Sequence, residues 1–216
     1  MKALITGANG FLGSAVLRLL VSEGYDVCVL VRPNADKRNL EKFDLKIIEG
    51  DLQNTESLKR AVNSCDQVFH VAADYRLWVP DPEQMYKTNI DGTQNLILAA
   101  TDAGVEKIVY TSSVATLGTN EDGSPADETT PSSLKDMVGA YKRSKFLAEQ
   151  AVKVLIKEKS CPVTIVNPSA PVGPRDIKPT PTGKIILDTI RNRMPAYVET
   201  GLNIVHVDDV AQGHLL

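Results

Sequence analysis

Short apolar runs rich in valine and isoleucine alternate along the chain with segments whose apolar residues recur at helical spacing. A buried parallel strand is apolar on both faces, whereas a helix that covers a sheet is apolar on one side only. The pattern therefore predicts an α/β fold, a doubly wound parallel sheet with helices on both faces. The predicted strands are 3–6, 27–31, 45–49, 67–71, 107–111 and 163–166, and the predicted helices are 12–22, 55–62, 83–103 and 139–159.

A glycine-rich turn follows the first predicted strand directly and leads into the first predicted helix. Gly7, Gly10 and Gly13 have GxxGxxG spacing. The first glycine permits the tight turn, the second lets a pyrophosphate approach the backbone, and the third lets helix pack on strand. A glycine turn without a ligand is the alternative, but its place in a βα unit favours a dinucleotide-binding Rossmann fold, with phosphates facing the free N–H groups of the helix. The predicted cofactor contacts here are Gly7, Asn9, Gly10, Phe11 and Leu12.

The sequence changes in character after Asn167, where five prolines fall between residues 168 and 181. Such a segment after the last strand of a doubly wound sheet commonly covers the crevice at the carboxyl ends of the strands. A helix over 183–193, a strand over 203–207 and a helix over 208–216 are predicted next. We therefore expect a dinucleotide-binding Rossmann domain over 1–167 and the start of a smaller C-terminal substrate lobe, cut short, over 168–216.

The residues after the second and third predicted strands bear on the choice of cofactor. An acidic residue after the second strand would bind a ribose 2′-hydroxyl, whereas an arginine accommodates a 2′-phosphate. Arg32 stands there, with Lys37 and Arg38 nearby, so NADP(H) is favoured and NAD(H) is the alternative. Arg32 could otherwise be a solvated loop arginine. Asp51 and Leu52 follow the third strand and are expected near the adenine, although Asp51 could simply lead into the next helix.

Three residues predict hydride-transfer chemistry. Ser113 follows the fifth strand, whose carboxyl end points into the crevice. Tyr141 and Lys145, four residues apart, share a helix face with Ala148 and Val152 that must meet the sheet. A tyrosine and a lysine on an inward face are costly unless they line a crevice. The ordinary alternatives are turn chemistry at the serine and a surface Tyr–Lys pair, which would leave the glycine turn as a coincidence.

These residue types suggest a mechanism. A phenol titrates near about 10, so Tyr141 needs help to act as an acid or base at neutral pH. A Lys145 cation and an oxidised nicotinamide would both favour the phenolate, and Lys145 can also bind the nicotinamide ribose. Ser113 would hold the substrate oxygen by a hydrogen bond while hydride moves to or from its carbon.

Composition excludes several classes of protein. The 216 residues are 43% hydrophobic and 24% charged, which is typical of a globular protein, and the formal net charge of −3 includes no basic track for a nucleic acid. No apolar run reaches the roughly 18 residues that a membrane span needs. Three cysteines without metal or redox spacing fit a reducing cytoplasm. No metal site is predicted, and His70 is interpreted as a packed histidine.

The motifs together resemble the extended short-chain dehydrogenase/reductase superfamily, in its NAD-dependent epimerase/dehydratase group. They are Thr6–Gly13, Asp51-Leu52, His70–Ala73, Asn89, Ser112-Ser113, Tyr141–Lys145 and Asn167-Pro168. The segments 70–78 and 167–176 resemble hopanoid-associated sugar epimerases, which are close to dihydroflavonol reductases. The resemblance implies a bacterial enzyme with a nucleotide-sugar-like substrate, in which Asn89 supports the active-site helix and a further C-terminal lobe completes the pocket. It also implies cofactor contacts at Ala72, Ala73 and Pro168, and a substrate site bordered by Pro168, Tyr75, Trp78, Val172 and Tyr197.

The sequence leaves more than one function open. It predicts an NAD(P)-dependent oxidoreductase or epimerase that acts by hydride transfer on a sugar-like or other hydroxyl or carbonyl substrate, with Tyr141 as acid or base. The alternatives are a dihydroflavonol-reductase-like NADPH carbonyl reductase and a non-catalytic NADP-binding sensor. A small molecule is the expected partner, and a homodimer is a further expectation because apolar surface could be exposed where the remaining lobe docks.

Overall fold

Six parallel strands form the main sheet of the computed structural model, which describes residues 1–216. They are β1 (Lys2–Thr6), β2 (Asp26–Val31), β3 (Lys46–Glu49), β4 (Gln67–His70), β5 (Lys107–Thr111) and β6 (Val163–Val166). Their order is β3-β2-β1-β4-β5-β6, so the chain begins in the middle of the sheet and winds outward in both directions. The winding reverses between β1 and β4, and ligands of such sheets bind at this switch point, beyond the carboxyl ends of the strands. The predicted doubly wound α/β fold is confirmed.

Helices cover both faces of this sheet. The α-helices of the chain are α1 (Phe11–Ser22), α2 (Thr55–Val62), α3 (Glu83–Tyr86), α4 (Gly92–Asp102), α5 (Gly139–Lys159), α6 (Pro181–Ile190) and α7 (Val207–Leu215), of which α6 lies against residues 170–172 and not against this sheet. One face packs against apolar residues of α2, α4 and α5, including Leu58, Leu96 and Val152. The other packs against α1 and α7, including Leu17 and Val207. The four central strands β1, β2, β4 and β5 are buried on both sides, so their sequences are mainly apolar, whereas the edge strand β3 is largely exposed. No helix in the structure is both long and apolar enough to cross a membrane.

The helix predicted over 83–103 is interrupted. A π-helical turn, Lys87–Asp91, separates α3 from α4, and the N–H of Gly92 donates to the carbonyl of Lys87, five residues earlier. The wider turn adds a residue to the helix and leaves the Asn89 side chain buried. A Cβ atom on Gly92 would lie 2.7 Å from the Cβ of Leu52, so this side of the turn packs closely against the segment after β3. Turns of this kind occur frequently at functional sites.

The proline-rich segment after β6 contains a strand that was not predicted from the sequence. β7 (Ala170–Val172) pairs in parallel with β8 (Ile204–His206) to form a separate two-stranded sheet. Proline has no backbone N–H and cannot donate a hydrogen bond to a neighbouring strand. An edge strand tolerates this loss at Pro171, because one side of the strand has no neighbour to pair with. α7 then docks on α1 with Val207 fully buried, whereas α6 has no buried residue. The irregular segment expected from the sequence is therefore partly ordered into a sheet beside the crevice.

Candidate active site

The glycine turn after β1 is shaped by close backbone contacts. Gly7 has φ of +74°, and a Cβ atom there would lie 2.7 Å from the backbone nitrogen of Ala72. At Gly13, a Cβ atom would lie 2.0 Å from the carbonyl oxygen of Gly7, so no side chain fits between the helix and the turn. Gly10 differs, because its φ of −83° is allowed for any residue and only the Gly7 oxygen lies near its missing Cβ, at 3.3 Å. The absent side chain of Gly10 therefore keeps space open beside the start of α1.

That open space adjoins backbone donors that no side chain caps. The N-cap Gly10 has no side chain to accept from the first turn of α1, and no other side chain caps this end. The Asn9 side chain points elsewhere and donates to the carbonyl of Asp36, 3.2 Å away. Uncapped N–H groups of Phe11 and Leu12 beside an open space are the arrangement that binds a pyrophosphate. The residues present thus fit a dinucleotide cofactor at the predicted position.

The three basic residues after β2 have different surroundings. Lys37 pairs with Glu49 at 3.3 Å, and Arg38 pairs with Asp36 at 2.6 Å. Arg32 is exposed and forms neither an ion pair nor a side-chain hydrogen bond within the chain. Of the three cations, only Arg32 is thus free to bind an added phosphate without breaking an existing pair.

The residues predicted near the adenine lie beside the carboxyl end of β3. The Asp51 carboxylate accepts a hydrogen bond from the N–H of Gln53, at 2.9 Å, and its own N–H donates to Ser57. Leu52 is buried in the core, so its side chain serves packing. Asp51 therefore has a local structural role as well as its predicted position beside the crevice.

Lys145 is buried at the carboxyl end of β5. Its ammonium nitrogen donates to the carbonyl oxygen of Thr111 at 2.7 Å and to the hydroxyl of Tyr110 at 3.1 Å, and only 2% of the residue is exposed. Burial lowers the pKa of Lys145 to about 7, and the carboxylate of Glu149 partly opposes that shift. Lys145 makes no hydrogen bond to Tyr141 here, so the predicted stabilisation of a Tyr141 phenolate by an adjacent cation has no direct contact behind it.

Tyr141 and Ser113 approach each other across the crevice. Burial raises the pKa of Tyr141, and an interaction with the Ser113 side chain partly opposes the rise. Ser113 is half-buried, and its hydroxyl oxygen accepts a hydrogen bond from the N–H of Ala115 at 3.1 Å. That bond occupies a lone pair and leaves the hydroxyl proton available for another oxygen. Tyr141 is consequently a protonated phenol at neutral pH, beside a second donor.

A buried carboxylate that the sequence analysis did not single out lies behind Ser113. One oxygen of Glu149 accepts from Ser112 at 2.5 Å, Thr116 at 2.8 Å and Asn167 at 2.8 Å. The other oxygen pairs with Lys153 at 2.8 Å. Burial alone would raise the pKa of Glu149, but these donors hold it below its usual value. A signal existed in the sequence, because Glu149 follows Lys145 by four residues on a face that is otherwise apolar.

A second buried polar network runs from β1 to α5. His70 bonds to Thr6 through Nδ1 at 2.8 Å and to Thr93 through Nε2 at 2.9 Å. Because the Thr93 hydroxyl donates to the Asn89 carbonyl, it must accept from His70, which places the ring proton on Nε2. Burial lowers the pKa of His70 to about 3, so the ring is neutral, consistent with a packed histidine.

Asn89 continues this network to the helix that carries Tyr141. Its amide group donates to the Asp74 carbonyl and to the Ser144 hydroxyl, both at 2.9 Å, and accepts from the Asp74 N–H at 2.7 Å. The Ser144 hydroxyl donates in turn to the Tyr141 carbonyl at 2.7 Å. The contacts match the supporting role that the resemblance implied for Asn89.

The residues predicted to border the cofactor and the substrate differ in how far they are buried. Ala72, Ala73, Pro168 and Val172 are half-buried in segments that follow β4 and β6. The N–H of Ala72 donates to the Thr6 hydroxyl at 3.2 Å, and the Pro168 carbonyl accepts from Val114 at 3.1 Å. Tyr75 is 44% exposed, Trp78 79% and Tyr197 93%, so these three rings do not enclose a pocket in this chain.

Comparison with known proteins gives consistent matches. The family model for the NAD dependent epimerase/dehydratase family matches residues 3–216. A protein of Synechocystis sp. with the provisional name dihydroflavonol 4-reductase is 47% identical over 212 residues, covering 98% of this chain and 61% of that protein. These matches agree with the resemblance drawn from the sequence motifs.

Solved structures agree with that assignment. The crystal structure of gox2253 is 59% identical, with a TM-score of 0.95, over 99% of this chain and 65% of that one. The UDP-glucose 4-epimerase of Thermus thermophilus, solved in complex with NAD, is 27% identical, with a TM-score of 0.85, over 100% of this chain and 73% of that one. The chain thus spans just under two thirds of the length of the Synechocystis protein and of gox2253.

Proposed function

The chain belongs to the NAD-dependent epimerase/dehydratase family, and we propose that it carries the cofactor site and the proton donor of an NADPH-dependent carbonyl reductase. Residues 1–167 would bind the dinucleotide, and 168–216 would begin the substrate lobe. The observation that supports the proposal is that Tyr141, at the start of α5, interacts with Ser113, which follows the carboxyl end of β5. Burial raises the pKa of Tyr141, so we expect its phenol to be protonated at neutral pH.

The proposed chemistry assigns a proton step to the chain's own residues. A bound nicotinamide cofactor supplies the hydride when the substrate carbonyl is reduced. Ser113 donates a hydrogen bond to the carbonyl oxygen, and Tyr141 gives up its phenolic proton to the same oxygen as negative charge develops there. The raised pKa of Tyr141 keeps the phenol protonated before the reaction. Lys145 lies within the same buried site, where it can turn from Tyr110 and Thr111 toward the cofactor ribose.

A second candidate is a redox-neutral epimerase that retains its cofactor. The match to a UDP-glucose 4-epimerase supports this candidate. We favour net reduction because Arg32, at the end of β2, is free to bind a 2′-phosphate, and NADPH serves reduction. The provisional name of the Synechocystis relative points the same way.

Cofactor titration tests the proposal directly. Affinities for NADPH and NADH would be measured by calorimetry on the wild type, on Arg32→Ala and on Arg60→Ala, a matched exposed arginine on α2. We expect the wild type and Arg60→Ala to prefer NADPH, and Arg32→Ala to lose that preference while keeping its affinity for NADH. Equal affinities in the wild type would contradict the 2′-phosphate site and favour the epimerase.

A turnover assay separates an enzyme from a sensor that only binds the cofactor. Loss of reduced-cofactor absorbance would be followed with a panel of aldehydes and ketones, for the wild type and Tyr141→Phe. The proposal predicts carbonyl-dependent oxidation by the wild type that falls at least about 100-fold in Tyr141→Phe, whose cofactor affinity stays unchanged. NADPH binding without any turnover would support the sensor.

A further inference from the structure

The Glu149 carboxylate connects three segments of the chain that meet behind Ser113. Its donors come from the end of β5 (Ser112), from the short helical turn Val114–Thr116 (Thr116) and from the residue after β6 (Asn167). Three donors converge on one oxygen, and the side chain is almost completely buried. A buried ion needs this degree of solvation by donors, because an unsatisfied carboxylate in the core is strongly destabilising.

Two of these donors also hold the backbone of Ser113. The Thr116 hydroxyl lies 2.8 Å from the Ser113 carbonyl oxygen, and the Asn167 amide lies 3.2 Å from it. Thr116 has one hydroxyl proton, and it can direct that proton to Glu149 or to Ser113, while the Asn167 amide has two protons for both acceptors. The position of the Ser113 backbone is therefore coupled to the place of the Glu149 carboxylate.

From this geometry we propose that Glu149 is a positioning residue, which fixes the Ser113 hydroxyl against the Tyr141 phenol by holding Thr116 and Asn167. The proposal deepens the proposed function and rests on it for its catalytic meaning. The coupling itself is a property of the free protein. Lys153 does not take part in this positioning, because it binds the other carboxylate oxygen of Glu149 from the exposed side of α5.

The titration of Tyr141 reports this coupling without any substrate. The Ser113 interaction lowers the pKa of Tyr141, so a displaced Ser113 raises it. A direct electrostatic effect has the opposite sign, because removing a nearby negative charge would stabilise the phenolate and lower the pKa. Tyr110 on β5 and Lys145 on its own helix are further titratable groups near Tyr141, and Glu149 raises the pKa of both. An effect of the Glu149 substitutions that reaches Tyr141 through these two groups would persist when Ser113 is replaced by alanine, whereas an effect through Ser113 would not.

The experiment places a fluorotyrosine at position 141, whose phenol titrates at lower pH, and follows its titration midpoint by fluorine NMR in the cofactor-free protein. Glu149→Leu should shift the midpoint upward by about as much as Ser113→Ala. Glu149→Gln should leave it near the wild-type value, because its carbonyl oxygen can accept from the same three donors while its amide faces Lys153. Glu158→Gln, the same change at an exposed position of α5, is the matched control and should have no effect.

A double-substitution cycle decides between positioning and a direct effect. In the Ser113→Ala protein, Glu149→Leu should add no further shift, since the interaction through which it acts is already gone. An unchanged or lowered midpoint in Glu149→Leu, or an equal upward shift in both backgrounds, would overturn the proposal. If Glu149→Leu does not fold, Thr116→Val removes the hydroxyl that connects Glu149 to the Ser113 carbonyl and should raise the Tyr141 midpoint by a smaller amount. An unchanged midpoint in Thr116→Val would then overturn the proposal. Failure of wild-type NADPH binding would contradict the proposed function alone.

Discussion

The ammonium nitrogen of Lys145 lies 3.1 Å from the hydroxyl oxygen of Tyr110 and donates a hydrogen bond to it, while the aromatic ring of Tyr110 lies 4.7 Å away by its centroid. The partner of the lysine in this site is thus the tyrosine on β5, and the tyrosine one helical turn earlier faces Ser113. Tyr110 is itself fully buried, and burial together with Glu149 raises its pKa, so it stays a neutral phenol. Lys145 is consequently buried at the carboxyl end of β5 without pairing with an anion.

Burial of Lys145 is expected to make stability depend on pH. Its pKa falls from 10.5 to about 7, so the unfolded chain binds more protons than the folded one between these values. The free energy of unfolding should therefore rise with pH across that window, by at most about 5 kcal/mol. The hydrogen bonds that the ammonium group donates stabilise its charged form, so they reduce this rise. Lys145→Met should flatten the rise and be more stable than the wild type below pH 7. Urea unfolding of both proteins at pH 6, 8 and 10 measures how the free energy of unfolding depends on pH. If this dependence were equally steep in Lys145→Met and in the wild type, the prediction would be contradicted.

Glycine substitutions should separate cofactor binding from folding. Gly13→Ala puts a Cβ atom 2.0 Å from the Gly7 carbonyl oxygen, a contact that only a backbone shift can relieve, so we expect destabilisation of at least about 3 kcal/mol. Gly10→Ala meets only one atom, at 3.3 Å, and should keep the fold while losing at least about tenfold in affinity for the dinucleotide. Thermal unfolding and cofactor titration test the pair. Equal losses of stability would show that Gly10 is a packing residue.

Acid should destabilise the protein through His70. Its pKa of about 3 lies below the ordinary 6.5, so the unfolded state binds an extra proton between these values and stability falls as pH drops below about 6.5. His70→Gln retains a donor and an acceptor but no basic nitrogen, so its stability should fall less steeply between pH 6.5 and 4. His206→Gln, at an exposed histidine, is the control and should keep the wild-type slope. Identical slopes for both variants would rule out His70 as the source.

Loss of the Asn89 side chain should loosen the support of the Tyr141 helix. Asn89→Ala removes three hydrogen bonds and leaves backbone groups of Asp74 unpaired, which should cost about 2–4 kcal/mol. Asn95→Ala removes one longer bond, at 3.3 Å to the Leu52 carbonyl, and should cost less than about 1 kcal/mol. Chemical denaturation of both variants gives the comparison. A cost for Asn89→Ala no larger than that of the control would mean that water replaces its contacts.

The sequence alone determined the sheet and the position of the glycine turn. These features depend on local patterns, because buried parallel strands must be apolar throughout and a backbone turn beside a phosphate needs glycine. The apolar residues of α5 were interpreted correctly as an inward face, and Lys145 lies buried on it. The strand β7 was not predicted, since its pairing with β8 joins residues more than thirty positions apart in a proline-rich segment.

The tertiary structure decided which of the polar residues meet. Glu149 with Asn167, Lys145 with Tyr110, and the thiols of Cys28 and Cys65, 3.6 Å apart, are contacts between separate elements, and no local period encodes them. The π-helical turn that buries Asn89 likewise depends on packing against the segment after β3. The pKa values follow the same rule, because burial sets them and burial is a property of the whole fold. The sequence therefore determined the order of strands and helices and the place of the glycine turn, whereas the packing of distant segments decided the partners and the protonation of the polar residues.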